Sequence, residues 1–414
     1  MVDTQLSPVS SQCDLISSLR AVLWIYRILG LSRGTNQSVL YQIYRWVLSA
    51  TFLIAYLLGM IASAIQEENS ETLWKEDIFI ILTELAMFVK VVTTYCRFQE
   101  IAQLLQISVS KEFSPKSPCE EERYLKIFRH LNTALMGYLI GSVVTASSTA
   151  VHIFNSLYKL PTFSWFFGVP YGPNHELNYL LIASYQVTGM LIHCALNVSV
   201  DIQVTYLMAI AGIQLDFLEQ RFINLKYDHS VYLRRQRFVY HNRQMQLVEQ
   251  FVQDIERVYS PAIFTQFCVS AITICATAFR ISSIDIMENV GVAIGMVMYL
   301  LSMTVEIYLP CYYGNEITRK SQQLTNALYS CEWYRFDPEI RRLVKMLMLR
   351  TDRPMAMKAG GFFRYSLDTF GTVSMNGSSS SNVQYTNCLL CLIPVRPVIF
   401  LPFLLVPHFI SISR

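Results

Sequence analysis

Charge is what this chain has least of. Only 15% of its residues are charged, against roughly 25% in soluble domains, while 53% are hydrophobic. So small a supply excludes a solvated surface around the whole molecule. The net charge of +3 is modest, and aromatics do not interleave the basic clusters as a nucleic-acid groove requires. No nucleic-acid partner is therefore expected. The 10 cysteines build no redox or metal framework. Cys96, Cys194, Cys268, Cys275 and Cys311 sit in apolar runs, where Cys acts as a small hydrophobe. The CxxC of Cys388 and Cys391 lacks a second pair or a nearby His. No HExxH, Gly-rich phosphate loop, nucleophile–His–acid set or paired catalytic carboxylates stand in a plausible context. The chain is read as no enzyme, with no cofactor and no metal. A cleavable leader is not expected either: the first 14 residues are polar. The run Leu15 to Leu31 is broken by Arg20 and Arg27 and followed by no small-residue cleavage site. It reads as an amphipathic helix on the cytoplasmic leaflet, within a cytoplasmic segment covering residues 1–40.

What the chain does have is apolar length. Seven stretches are long enough to span a bilayer: Tyr41–Ile65, Asp77–Cys96, Asn132–Phe154, Asn178–Met208, Ala262–Phe279, Val290–Tyr312 and Met355–Val373. Basic residues concentrate in short cytoplasmic loops. They crowd the second loop (Arg97, Lys111, Lys116, Arg123, Lys126, Arg129), the fourth (Arg221, Lys226, Arg234, Arg235, Arg237, Arg243, Arg257) and the sixth (Arg319, Lys320, Arg335, Arg341, Arg342, Lys345, Arg350). The first loop has Lys75 among acids, the third Lys159 alone, and the fifth Arg280 beside Asp285 and Glu288. The expectation is an all-α membrane protein, a seven-transmembrane helical bundle with its N-terminus cytoplasmic. That orientation is opposite to a G-protein-coupled receptor. A secondary transporter would show inverted repeats and broken helices, and neither is visible. Asn36 and Asn197 stand in N-x-S sequons but are expected to stay unglycosylated, one cytoplasmic and one inside a span.

Below the membrane, Leu247, Val248, Phe251, Val252, Ile255, Val258 and Tyr259 form one helical stripe, which Pro261 is expected to end. Ile340, Leu343, Val344, Leu347 and Met348 repeat the pattern. Such stripes imply long cytoplasmic helices forming an anchor layer, either shared between subunits or packed within the chain. Ionisable residues at membrane depth mark pathways or ligand sites. Here they are Glu84 and Lys90, six residues apart on different helix faces, with His193, Asp201 and Glu306. Asp201 and Glu306 lie towards cytoplasmic ends and read as structural, and His193 as a hydrogen-bonded interior histidine. GxxxG motifs at Gly137–Gly141 and Gly291–Gly295 suggest close helix packing.

The outer halves of the spans are rich in aromatics, Met and small hydroxyls, the lining of an adaptable apolar pocket. Candidate ligand residues are Phe79, Met87, Phe88, Ser147, Ser148, His152, Tyr179, Tyr185, Met190, Met296 and Tyr299. The third loop adds Phe163, Trp165, Phe166 and Phe167. Ordinary lipid-facing aromatic content is the competing account.

The run SQQLTNALYSCEWYRFDPEIRRLVKMLMLRTDRPMAMKAGGFFRYSLDTF resembles the C-terminal signature of insect odorant receptors. The matching positions include Ser321, Leu324, Ala327, Tyr329, Trp333, Tyr334, Arg341, Arg342, Met346, Arg350, Pro354, Ala359, Gly360, Phe362, Ser366 and Phe370. The resemblance implies a subunit of a ligand-gated, non-selective cation channel that binds small volatile organic molecules. It also implies a hetero-tetramer with a common odorant co-receptor, in the lipid of the plasma membrane of sensory-neuron dendrites. It places the ligand in the outer half of spans two to six. The subunit anchor is placed around Trp333, Tyr334, Arg341, Arg342, Leu343, Gly360, Phe362, Ser366 and Phe370. A gustatory-type chemosensory channel is the alternative, but its TYxxxxxQF-type ending is replaced here by Ser366-Leu-Asp-Thr-Phe370. The seven-span domain is taken as residues 41–373. Beyond Val373 the chain departs from the family: Ser374 to Asn382 is polar, then prolines recur at 394, 397, 402 and 407. Residues 374–414 are read as an atypical tail, a retained intron or gene-model error, with a genuine isoform as the alternative.

Overall fold

The computed structural model describes residues 17–31, 38–66, 78–154, 160, 162–163, 168–170, 174–225, 230–283, 290–361 and 363–368. In chain order the helices are α1 (Ser17–Ile28), α2 (Val39–Leu48), α3 (Ala55–Gln66), α4 (Ile78–Cys96), α5 (Phe98–Ser108), α6 (Pro118–Phe154), α7 (Glu176–Asn224), α8 (Val231–Ser283), α9 (Val290–Ser330) and α10 (Pro338–Thr351). A π-helical turn, Ser49–Ile54, joins α2 to α3 without a break. Among the described residues, four helices are long and apolar enough to cross a membrane: Val39–Gln66, α7, and the parts Tyr232–Thr277 of α8 and Ala293–Ser330 of α9. At 1.5 Å per residue, the 49 residues of α7 and 53 of α8 reach roughly 73 and 80 Å. Both far exceed the roughly 30 Å hydrocarbon core, so each is longer than a span and continues beyond it as one helix.

The centre of the bundle is α7. It is apolar around most of its circumference, as a helix buried on all sides must be. From Val198 to Leu215 nearly every side chain is buried. It packs against α9, α6, α8, α1 and α4. On α1, Leu19, Val22 and Tyr26 form the buried stripe, and the Tyr26 hydroxyl donates to Gln203 Oε1 of α7 at 2.9 Å. The apolar stripe of α8 is covered within the chain: Val248, Phe251, Val252, Ile255, Val258 and Tyr259 are buried, with Phe113 edge-on to Phe251 at 5.2 Å. On α10, Ile340, Val344 and Leu347 are buried while Leu343 is exposed.

Three sequence expectations fail here. Pro261 does not end a helix but lies inside α8. A proline at 261 leaves the carbonyl of Arg257 without its helical donor. The Arg97 guanidinium supplies that donor, Nη1 to Arg257 O at 2.9 Å. The GxxxG glycines are not sites of close approach within the chain, since a Cβ at Gly137, Gly141 or Gly295 would meet nothing within 4 Å. The close approach is instead at Gly189, where a Cβ would lie 2.5 Å from Tyr56 Cε2.

The third failure is at Met355, where no spanning helix begins. Lys358–Ala359 pairs antiparallel with Phe363–Arg364, and Gly360 and Gly361 turn the hairpin at φ 58° and 77°, a region glycine alone enters cheaply. Hydrogen bonds sew this segment to α9 and α8. Met355 N–H donates to Ser321 Oγ at 3.0 Å and Gly360 N–H to Ser260 Oγ at 2.8 Å. Gly314 of α9 lets the hairpin seat, because a Cβ there would lie 2.3 Å from Tyr365 Cβ. The remainder of that expected span, residues 369–373, and the 374–414 tail fall outside the described residues.

Candidate functional site

The face of α7 towards α4 carries polar residues that a fully apolar helix would not. Gln186, His193, Asn197 and Asp201 recur at seven- and four-residue steps, one stripe on an α-helix. Each meets a partner from another element, and together they link the outer end of the bundle to its middle.

At the outer end, Gln186 is fully buried. Its Nε2 donates to Phe163 O at 3.0 Å, and its Oε1 accepts from Thr162 N at 3.0 Å and Thr162 Oγ1 at 3.1 Å. The amide thus fastens the Thr162–Phe163 segment over the helices. Phe163 packs edge-on against Tyr56 of α3 with centroids 5.4 Å apart, and Tyr56, Met60 and Phe163 form a buried cluster flanked by Ile80, Ile81 and Tyr185. Tyr185 stacks on Phe52 at 5.4 Å and donates to Thr51 O at 2.6 Å. Below them His193 lies 4.6 Å from the Tyr56 ring. Its Nδ1 is 2.5 Å from Glu84 Oε2 and its Nε2 is 2.6 Å from Phe52 O. The expected interior histidine is therefore fully hydrogen-bonded.

One turn further in, Lys90 of α4 is 2% exposed and joins three helices. Its Nζ donates to Asn197 Oδ1 at 2.9 Å, to Asp201 Oδ1 at 2.7 Å, and to Glu306 Oε1 of α9. Asn197 Nδ2 donates to the same Glu306 oxygen at 2.8 Å, and Tyr138 of α6 reaches Asp201 Oδ2 at 3.4 Å. Glu306 Oε2 is buried and has no partner among the described residues. Asp201 and Glu306, read from the sequence as structural, share one ammonium. Glu84 and Lys90, expected on different faces, both serve the same stripe of α7. Asn197 is committed to this node, consistent with its expected lack of glycan.

The candidate ligand residues divide. Tyr185 joins the outer cluster. Tyr299 of α9 donates to Thr83 Oγ1 at 3.4 Å, one residue before Glu84. Met87 is buried in the main core, whereas Phe88, Tyr179, Met190 and Met296 are half-buried. Ser147 is exposed and donates to Val143 O at 2.8 Å, so its hydroxyl serves its own helix. Ser148, His152 and Phe79 lie on helices, with side chains outside the described residues, as are Trp165, Phe166 and Phe167 entirely. Sequence reasoning missed Phe52, Tyr56, Met60 and Gln186; the four-residue stripe on α7 was the signal available.

The candidate anchor positions are scattered along α10 and the segments on either side of it. Lys345 Nζ sits 5.3 Å over the Trp333 ring, and Arg341 Nη2 donates to Phe336 O at 3.0 Å. Tyr334, Arg342 and Leu343 are exposed, Ser366 is half-buried, and Gly360 turns the hairpin. Phe362 and Phe370 lie outside the described residues.

A second polar centre lies at the opposite end of α7, around Arg221. Arg221 forks onto Glu120 with Nε–Oε1 at 2.8 Å and Nη2–Oε2 at 2.7 Å, and Nη1 donates to Gln244 at 2.8 Å. Burial opposes ionisation of Glu120, but the guanidinium outweighs it and holds the carboxyl below the usual range. Nearby, burial, reinforced by the Arg221 charge, pushes His241 down to about 4.

A family model described as "7tm Odorant receptor" matches residues 73–376. Among curated proteins, odorant receptor 94a of Drosophila melanogaster is 27% identical over 383 residues, covering 86% of this chain and 94% of that protein. The odorant receptor coreceptor of Aedes aegypti is 27% identical over 126 residues, 30% of this chain and 26% of its own. Among solved structures, the insect olfactory receptor OR5 of Machilis hrabei superposes with a TM-score of 0.78 at 16% identity, over 93% of this chain and all of that one.

Proposed function

Because the chain belongs to the 7tm odorant receptor family and is a multi-pass membrane receptor, we propose that it is the ligand-binding subunit of a ligand-gated, non-selective cation channel. In this reading a small volatile organic molecule occupies the outer half of the bundle. The subunit works with an odorant co-receptor, as a hetero-tetramer in the plasma membrane of sensory-neuron dendrites, with its N-terminus cytoplasmic. One observation carries the ligand part. The outer aromatic cluster of Phe52, Tyr56, Phe163 and Tyr185 rests directly on His193, and the α7 stripe leads from there to the node at Lys90. A ligand that binds one arrangement of these helices better than another shifts their equilibrium by that difference in affinity. The stripe gives such a shift a contiguous route across α4, α7 and α9. The partial likeness to a coreceptor supports assembly with a subunit of that kind. The loop charges support the orientation, and the end of the family match at residue 376 supports reading 374–414 as an atypical tail.

The test is co-expression of the full chain with the co-receptor and recording of odour-evoked current. Tyr185→Ala is expected to change ligand rank order with surface expression intact. Unaltered rank order would move the site elsewhere. An epitope tag at residue 1 that is accessible on intact cells would overturn the orientation.

A further inference from the structure

Among the described residues the aromatic cluster contains a single carboxylate, Glu84, and its surroundings define what it is able to bind. Nε2 of His193 faces the carbonyl oxygen of Phe52, which only accepts, so Nε2 carries a hydrogen. At 2.5 Å, the contact between Nδ1 and Glu84 Oε2 must also contain a hydrogen, since two lone pairs would repel there. Placed on Nδ1, that hydrogen leaves Glu84 a carboxylate acceptor and the Glu84–His193 pair neutral as a whole. His193 is then saturated, with both nitrogens engaged. Glu84 is not: its side chain is 16% exposed, and Oε1 has no hydrogen bond to a described residue and is not sealed from access. The neighbouring hydroxyls of Tyr56 and Tyr185 already donate to Thr162 and Thr51. The site thus offers an open acceptor and keeps its donors engaged.

We propose that Glu84 is the polar anchor of the ligand site and selects hydroxyl-bearing volatiles, alcohols or phenols, over hydrocarbons, aldehydes and amines of the same shape. The proposal rests on the ligand-binding reading given above and adds the ligand class. A hydroxyl donates to Oε1 while its apolar body packs on Phe52, Tyr185 and Phe88. An aldehyde brings only an acceptor. An ammonium would be buried beside a pair with no net charge to offset its desolvation.

The experiment uses the full chain assembled with the co-receptor and the probes 1-heptanol, heptane, heptanal and heptylamine. It reads evoked current and, separately, probe-induced thermal stabilisation of the purified complex. The alcohol is expected to act at concentrations about tenfold below the other three, the factor that one charge-assisted hydrogen bond supplies. Glu84→Gln retains a partner for His193 but offers a neutral acceptor, and should lose about tenfold in alcohol sensitivity. Glu84→Leu should respond to alcohol and hydrocarbon alike. If Glu84→Leu does not reach the surface, Glu84→Gln decides the matter. Equal responses to all probes, preference for the amine, or a Glu84→Gln variant with unchanged alcohol sensitivity overturns the anchor and leaves the channel reading intact. Alcohol-selective stabilisation without current under any probe overturns the channel reading and leaves the anchor standing.

Discussion

Replacing Lys90 by Met isolates the energetic role of the mid-bundle node. Among the described residues the Lys90 ammonium is the only cation at the node, and it contacts Asn197, Asp201 and Glu306 together. Met has similar length and no charge, so packing is largely kept while two carboxylates lose their partner. Breaking a buried pair from one side costs about 3–5 kcal/mol, because the remaining charge stays buried. Lys90 is 2% exposed and the side chain of Glu306 1%, so solvent does little to reduce that figure. A domain of about 150–250 residues shifts its midpoint by about 2–4 °C per kcal/mol, and a longer chain by less, here about 1 °C. The apparent unfolding midpoint of the detergent-purified complex should therefore fall by roughly 3–5 °C. The triple change Lys90→Met, Asp201→Asn, Glu306→Gln removes both sides at once and should recover most of the loss. If Lys90→Met leaves the midpoint within about 1 °C of the parent, the node does not hold the helices and the reasoning is wrong. A triple variant that is worse than the single would show that the loss came from packing rather than charge.

Gly189→Ala forces a Cβ to 2.5 Å from Tyr56 Cε2 and should destabilise by about 1–3 kcal/mol, whereas Gly137→Ala, facing open space, should not; thermal midpoints compare the two. Arg97→Met removes the donor to Arg257 O and should destabilise by about 1 kcal/mol. In a Pro261→Ala background the restored N–H satisfies that carbonyl, so the effect of Arg97→Met should vanish, and a double-mutant cycle measures this. His241, held at about 4, stays neutral in the folded chain while an unfolded histidine gains its proton near 6.5. The unfolded state then binds more protons in that window, so stability falls as pH drops from about 6.5 to about 4, by up to roughly 3 kcal/mol. Glu120, held low, withdraws its contribution only below about pH 4.3. Unfolding midpoints across pH 4–7 should flatten in His241→Gln.

The helices were legible because their cause is local: apolar runs of spanning length, and a stripe on α8 from Val248 to Tyr259 that the core covers. The fate of Pro261 was not, since the group that replaces the missing N–H is on Arg97, 160 residues away in sequence. The hairpin at Gly360 and Gly361 was hidden for another reason. Its sequence is apolar enough to read as a span, and only the seating against Gly314 and Ser260 selects the turn. In the candidate site, Tyr185 was found by its residue type and depth. Tyr56 and Gln186 were not, because their polar groups are satisfied by the distant Thr162–Phe163 segment. The ionic node pairs Lys90 with Glu306 across 216 positions, which no short-range pattern encodes.

That separation also orders the birth of the protein. During synthesis Lys90 enters the bilayer first, and Asp201 follows 111 residues later. A lone charge at the centre of a spanning helix costs about 2.5–3.5 kcal/mol on insertion, so each early helix arrives in a position it does not favour. Meeting Asp201 settles part of that debt, but the node closes only when α9 delivers Glu306. That pair already ties α4 to α7, so Glu306 enters a bilayer in which an ammonium stands ready to receive its carboxylate. The two earlier helices thus prepare the place that α9 takes, and the order of the chain becomes the order in which the bundle is closed.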